Sequence, residues 1–173
     1  MYPIASLRCP GRGDTDLLLS RFAQEAMEAG LRVRGTVQIN TERAKNHACD
    51  MDIKVLPDGP VLLISQALGS GSRGCRLNPE ALETAVEAVA RTLDDGADLL
   101  IINKFGKMEA EGRGFREVIA HAIAREIPVL VGLNGLNQDA FAEFTGGAVE
   151  PLSPEIGALH RWISAIRETA PTS

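Results

Sequence analysis

Aromatic residues are scarce in this sequence: one tryptophan, one tyrosine and five phenylalanines, 4% in all. That is too few for the stacking platforms on which proteins lay out single-stranded nucleic acid. The formal net charge of −5 also removes the electrostatic basis for general nucleic-acid binding. No apolar stretch approaches the roughly 20 residues of a membrane helix, and the N-terminus has no signal-peptide core. The three cysteines, Cys9, Cys49 and Cys75, are odd in number and widely spaced. They build no disulfide framework and point to a reducing compartment, so the expected location is the cytoplasm.

What remains is the composition of an ordinary globular protein, 45% hydrophobic and 24% charged over 173 residues. That is enough for one full core and too little for two, so residues 1–173 read as a single domain. Short β-rich runs alternate with amphipathic helical stretches, the pattern of an open, mostly parallel sheet covered by helices. The first strand is Pro3–Leu7. A glycine-containing turn, Arg8–Asp14, leads into a helix over Thr15–Ala29 with Leu18, Leu19, Phe22, Ala23, Ala26 and Met27 as its apolar stripe. A strand over Leu31–Ile39 and a polar loop over Asn40–Asp50 follow. Ile53–Leu56 and Val61–Ser65 flank Pro57-Asp58-Gly59-Pro60 and form a β-hairpin. The glycine-rich loop Gly69–Arg76 precedes a helix capped by Asn78, with Pro79 at its first position. Asp98–Ile102 reads as a central strand buried on both faces. After the loop Asn103–Gly114 come a helix to Arg125, a strand over Pro128–Val131, a short helix near Gln138–Phe144 and a last helix from Ser153.

The chemistry gathers in the loops. After the first strand the chain reads Arg8-Cys9-Pro10-Gly11-Arg12-Gly13-Asp14-Thr15. A phosphate-binding P-loop has Gly-x-x-x-x-Gly-Lys-Ser/Thr between a strand and a helix. Aligned on Gly13, Thr15 takes the magnesium-binding hydroxyl position, Asp14 the lysine position and Arg8 the position of the first glycine. At about 4 Å and an effective dielectric of about 20, a unit-charge pair is worth about 4 kcal/mol before solvation, so replacing lysine by aspartate is severe. Backbone amides at the helix start can still hold an anion. The competing reading is a plain turn and helix start capped by Asp14.

In the second loop Asn103-Lys104-Phe105 precedes Gly106-Lys107-Met108-Glu109. This run, together with Pro10-Gly11-x-Gly13 and the strand containing Gly35, resembles small P-loop nucleoside-triphosphatases. Their second signature ends Asp-Glu, an apolar residue, then Gly-Lys-Met-Glu. Asn103 to Glu109 and Glu111 to Phe115 resemble more closely a bacterial family of unknown function, whose members are described as nucleotide-binding and are encoded beside molybdate-transport genes. The resemblance implies a three-layer α/β sandwich of P-loop type with a mostly parallel sheet. It also implies that Asn103 and Lys104 stand where an aspartate would bind magnesium through water and a glutamate would activate the attacking water. An amide and an ammonium do neither. The two altered loops are expected side by side, with Asp14 approaching Lys104.

Other anion candidates are Ser72, Arg73, Cys75 and Arg76 in the third glycine-rich loop and Arg113 between two glycines. With Gly11, Arg12, Gly13, Asp14, Thr15, Asn103, Lys104 and Lys107 they make up the expected nucleotide- or anion-binding set. Lys104, Lys107 and Glu109 are the catalytic candidates if the protein turns over, and only then is magnesium expected. His47, Cys49, Asp50 and Asp52 cluster without the spacing of a zinc site, so no metal is assigned. His121 and His160 read as structural. The expected function is a non-hydrolysing module that binds a nucleotide or small oxyanion, molybdate among them, with room left for a homo-oligomer. The alternatives are an active nucleoside-triphosphatase with non-standard residues and a ligand-free interaction domain.

Overall fold

The computed structural model describes residues 2–11, 13–39, 52–67 and 75–169. Its strands are β1 (Ile4–Leu7), β2 (Val33–Ile39), β3 (Asp52–Leu56), β4 (Val61–Leu63), β5 (Ser65–Ala67), β6 (Cys75–Leu77), β7 (Leu99–Phe105), β8 (Val129–Leu133) and β9 (Glu150–Leu152). The helices are α1 (Asp14–Glu28), α2 (Pro79–Asp94), α3 (Lys107–Ala110), α4 (Arg116–Ala124), α5 (Gln138–Thr145) and α6 (Ile156–Thr169). The expected loop over 40–50 and most of the glycine-rich loop, with Arg12, Ser72 and Arg73, fall outside the described residues.

Seven strands form one sheet in the order β4-β3-β2-β7-β8-β1-β9. From β2 to β9 all neighbours are parallel. β3 and β4 continue the sheet antiparallel, as the Pro57–Pro60 turn implies. β7 is the central strand: Leu99, Leu100, Ile101 and Ile102 are all fully buried. Leu100 and Ile102 pack into the layer of Leu82, Val89 and Ile119 from α2 and α4. Leu99 and Ile101 face Leu19, Phe22, Leu159 and Trp162 from α1 and α6. Alternate side chains of one strand thus hold two helical layers, each buried aliphatic contributing about 2 kcal/mol. Trp162 Nε1 donates to the Tyr2 carbonyl at 3.1 Å and pins α6 to the start of β1.

Two pieces of local chemistry set the framework. Asn78 caps α2, its side-chain oxygen accepting from the amides of Glu80 and Ala81 at 3.1 and 3.3 Å, while Pro79 supplies no amide to satisfy. Gly35, at φ 111°, sits where a Cβ would lie 1.8 Å from the Ile101 carbonyl oxygen, so β2 closes on β7 only with glycine there. Among the described residues no helix is long and apolar enough to cross a membrane.

Candidate functional site

Parallel strands bring their C-terminal ends to one edge of the sheet, where the ends of β1, β2, β7 and β8 lie together. β1 and β7 are not neighbours there, because β8 runs between them. The first and second loops are therefore not carried on neighbouring strands; they meet across the end of β8, Gly132 to Asn134.

The first loop is closed by its own atoms. The Cys9 amide donates to Thr15 Oγ1 at 3.1 Å, and the Asp14 amide donates to the Gly11 carbonyl at 3.3 Å. Gly13 takes φ 81° as the residue before α1 and makes no side-chain cap. The Asp14 carboxylate folds back over Gly11, where a Cβ would stand only 1.9 Å from its Oδ2. Asp14 lines a hollow with Cys9, Leu17, Arg21 and Pro154, on the other side of α1 from Asp16. Arg8 reaches across to the turn after β8, donating to Gln138 Oε1 at 3.1 Å.

The second loop begins inside β7. Between Ile102, paired with Val131, and Phe105, paired with Leu133, β7 advances three residues while β8 advances two. This bulge re-aims two consecutive side chains. Asn103, 6% exposed, turns inward and accepts from the Thr36 hydroxyl at 2.7 Å, whereas Lys104 turns out to solvent. Gly132 opposite the bulge has no room for a Cβ, which would meet the Asn103 carbonyl oxygen at 2.1 Å.

Lys104 shares a hollow of about 220 Å³ with Thr15, Asp16, Gly132 and Asn134. Burial pushes the Asp16 carboxyl up from 3.8 to about 6, and the Lys104 charge partly offsets that rise. The expected approach of Asp14 to Lys104 is thus taken by Asp16. On a helix, residues 14 and 16 point about 200° apart, so only one of them faces the strand ends.

Gly106-Lys107-Met108-Glu109 has a structural reason. Glu109, 4% exposed, accepts from the Gly106 amide at 2.8 Å through Oε1 and from the Phe115 amide at 3.0 Å through Oε2. It clasps both ends of the loop around α3. Burial raises its pKa, and the two amides partly oppose the rise. Gly114 lies so close that a Cβ would overlap Glu109 Oε2 at 1.8 Å. With both oxygens engaged, Glu109 holds the loop rather than a reacting group. Arg113, an expected anion contact, is paired with Glu111 at 2.7 Å on the surface. Lys107 lines a second hollow of about 230 Å³, which shares Gln38, Asn103 and Lys104 with the first. Cys75 and Arg76 fall on β6, which pairs with β5 outside the main sheet. His160 holds Glu25 at 2.9 Å and packs edge-on to Phe22. His121 lies on the outer side of α4, in a hollow with Val86 and Glu117.

The oxygens at this end of the crevice are each already used once: Thr15 Oγ1 accepts from the Cys9 amide and Asn103 Oδ1 from the Thr36 hydroxyl, and the next side chain on β7 is a cation. Sequence reasoning passed over Arg8 as a strand-end cation, Thr36 as the partner of Asn103, and Asp16. For Asp16 a signal existed: the buried stripe Leu19, Phe22, Ala23 and Ala26 projects back by three and four residues onto Asp16 and Thr15.

The strand order, the three layers and the loops at this edge are those of the P-loop nucleoside-triphosphatase fold. The crystal structure of THEP1 from the hyperthermophile Aquifex aeolicus superposes with a TM-score of 0.59 over 94% of this chain and 95% of that one, at 16% identity. The chain belongs to the family described as "Protein of unknown function (DUF2478)", whose model matches residues 4–162. It is 38% identical over 159 residues to "Molybdenum import ATP-binding protein ModC 2" of Bradyrhizobium diazoefficiens, a match that covers 92% of this chain and 18% of that protein. The chain thus spans under a fifth of that relative. It is 30% identical over 130 residues to "Nucleoside-triphosphatase THEP1" of Methanocaldococcus jannaschii, covering 72% of this chain and 74% of that protein.

Proposed function

We propose that this protein is a cytoplasmic ligand-binding module that takes a nucleotide or small oxyanion at the strand-end crevice without hydrolysing it, its output being regulatory. The observation that carries this reading is the end of β7. Asn103 is tied to Thr36, and Lys104 stands opposite Asp16 where a phosphoryl-transfer site needs carboxylates for magnesium and water. Relatives named as an ATP-binding protein and a nucleoside-triphosphatase support nucleotide as the first ligand class to test. The molybdenum import in one of those names makes molybdate the matching oxyanion.

The test is a titration of the purified chain with ATP, GTP, phosphate, molybdate and tungstate, with and without magnesium, alongside a phosphate-release assay. Binding without turnover, independent of magnesium and weakened in Lys104→Ala, is the expected result. Silence toward every ligand removes the reading and leaves an interaction domain.

One observation favours a second reading, an active nucleoside-triphosphatase with unusual residues. The Asp16 carboxyl, next to Thr15 and with a pKa of about 6, is suited to exchanging a proton near neutral pH. Turnover abolished by both Asp16→Asn and Lys104→Ala would establish it.

A further inference from the structure

Lys104 stands on the wall between two hollows of different character. On the Asp16 side most of the lining residues, Thr15, Asp16, Gln38, Asn103 and Asn134, are polar in type. On the other side Ile64, Leu82, Met108 and Phe115 make an apolar lining, with Lys104 and Lys107 exposed beside it. Leu82 and Phe115 belong to the core, so this wall is fixed by packing rather than by a loop.

Among the described residues Lys107 makes no ion pair or side-chain hydrogen bond, and Lys104 feels only the longer-range pull of Asp16 and Glu109. Glu109 also lines this hollow, but both of its oxygens are engaged by the Gly106 and Phe115 amides. Lys107 therefore has no contacting anion among the described residues, and Lys104 is drawn only at longer range by Asp16 and Glu109.

An inorganic oxyanion would satisfy the lysines and leave the apolar wall wet. A neutral apolar molecule would cover the wall and leave the ammoniums without a partner. Only a ligand with both features uses the whole surface. Size narrows it further. A cavity of roughly 150 Å³ suffices for benzene. The hollow here is about 230 Å³, room for one ring or branched group with a charged substituent.

We propose that this hollow binds a small organic anion, a single apolar body carrying one carboxylate or phosphate that meets Lys104 and Lys107. The proposal rests on the reading of the crevice as a ligand site and names the ligand class on its Lys107 side.

The experiment titrates the full chain, labelled at methionine methyls and backbone amides, with phenyl phosphate, benzoate, phenol, inorganic phosphate, ATP and molybdate. The expected result is a saturable shift of the Met108 methyl with phenyl phosphate or benzoate, at least about tenfold tighter than with phenol or inorganic phosphate. Whichever of the two anions binds more tightly identifies the head group. In calorimetry Lys107→Ala weakens that binding about tenfold, and Met108→Trp, which fills the hollow from its partly exposed side, abolishes it. Equal affinity for phenyl phosphate and inorganic phosphate, equal affinity for phenol, or an unchanged Kd in folded Lys107→Ala each overturns the proposal. ATP or molybdate moving the Gly13 and Thr15 amides, with Met108 unmoved by every aromatic anion, also overturns it while leaving the nucleotide or oxyanion reading in place. Met108 moving with phenyl phosphate while no nucleotide or oxyanion is bound removes the nucleotide or oxyanion reading and leaves the organic anion.

Discussion

Asp16 and Lys104 face one another across the end of β8, one on the first turn of α1 and the other on the bulge of β7. The acid is held near its limit of ionisation by burial, and the base is what keeps it from rising further. The two side chains set the local charge of the strand-end crevice.

This pair gives the first prediction, with a definite sign. In the folded chain Asp16 ionises near 6, against an ordinary value of 3.8. Between those values the folded state holds a proton the unfolded state has released. The Asp16 contribution to stability therefore falls as pH rises from about 4 to about 6 and stays at the lower level above that. Asp16→Asn is expected to be more stable than the native chain above about pH 7, with the difference closing below about pH 4. Carbon NMR of the Asp16 carboxyl gives the midpoint directly, and Lys104→Ala moves it upward. A native midpoint near the ordinary value of 3.8 would contradict the burial described here.

Glu109 carries the second prediction. Its two oxygens serve two amides that have no other acceptor at the ends of the α3 loop. Glu109→Ala leaves both unsatisfied in a buried place and is expected to cost about 3 kcal/mol in urea unfolding. Glu109→Gln keeps one carbonyl oxygen and turns an amide NH2 toward the other N–H, costing about 1 kcal/mol or somewhat more. If Glu109 were a catalytic base instead, Glu109→Gln would abolish turnover and leave the urea midpoint unmoved.

The third prediction concerns Gly132. A Cβ there would meet the Asn103 carbonyl oxygen at 2.1 Å and Leu19 Cδ1 at 3.2 Å. The first contact is backbone, which has no rotamer in which to escape. Gly132→Ala is expected to destabilise the chain by about 2 kcal/mol or more through forced displacement of β7. Because the displaced residue is Asn103, its hydrogen bond to Thr36 should weaken too, visible as loss of the Thr36 hydroxyl proton's protection in NMR. A variant with native melting temperature and native ligand affinity would show that the bulge is not held from the β8 side.

Much of this architecture was legible because it rests on periodicity. The run Asp98–Ile102 reads as a central strand, whose Leu99–Ile102 are fully buried, and Asn78-Pro79 reads as a helix start, which it is. β9 was not legible: Glu150-Pro151-Leu152 is three residues long, has no alternation and contains a proline that only a sheet edge tolerates. The β5–β6 pair escaped for the same reason of length. At the site, the motif alignment directed attention to Asp14, the residue after Gly13. The helical stripe that would have chosen Asp16 was blurred by Leu18, which is partly buried and projects back onto Asp14 instead. The bulge at Asn103 and Lys104 has no sequence signal of its own. It is visible only in the mismatch of register between two strands, and there it decides which of two adjacent polar residues is buried.

The last prediction reverses the charges. If the crevice has the shape of a triphosphate site but the wrong residues, restoring them should restore magnesium dependence. The variant is Asn103→Asp with Lys104→Glu; residue 14 is left alone because it lines a different hollow, on the far side of α1. Asn103→Asp keeps a hydrogen-bond donor, because the Thr36 hydroxyl already donates to that position at 2.7 Å and donates to a carboxylate as readily; burial is the cost it has to offset. Lys104→Glu removes the cation that holds Asp16 down, so Asp16 becomes still harder to ionise and stays protonated near neutral pH. Two carboxylates do not then compete for the same space. The expected outcome is a thermal shift with ATP that depends on magnesium in the double variant and does not depend on it in the native chain. Phosphate release is the more demanding readout, since it also needs Thr15 freed from the Cys9 amide. Magnesium-dependent ATP hydrolysis by the native chain, at a rate the double variant does not exceed, would show that Asn103 and Lys104 are a working alternative to the carboxylates and not their loss.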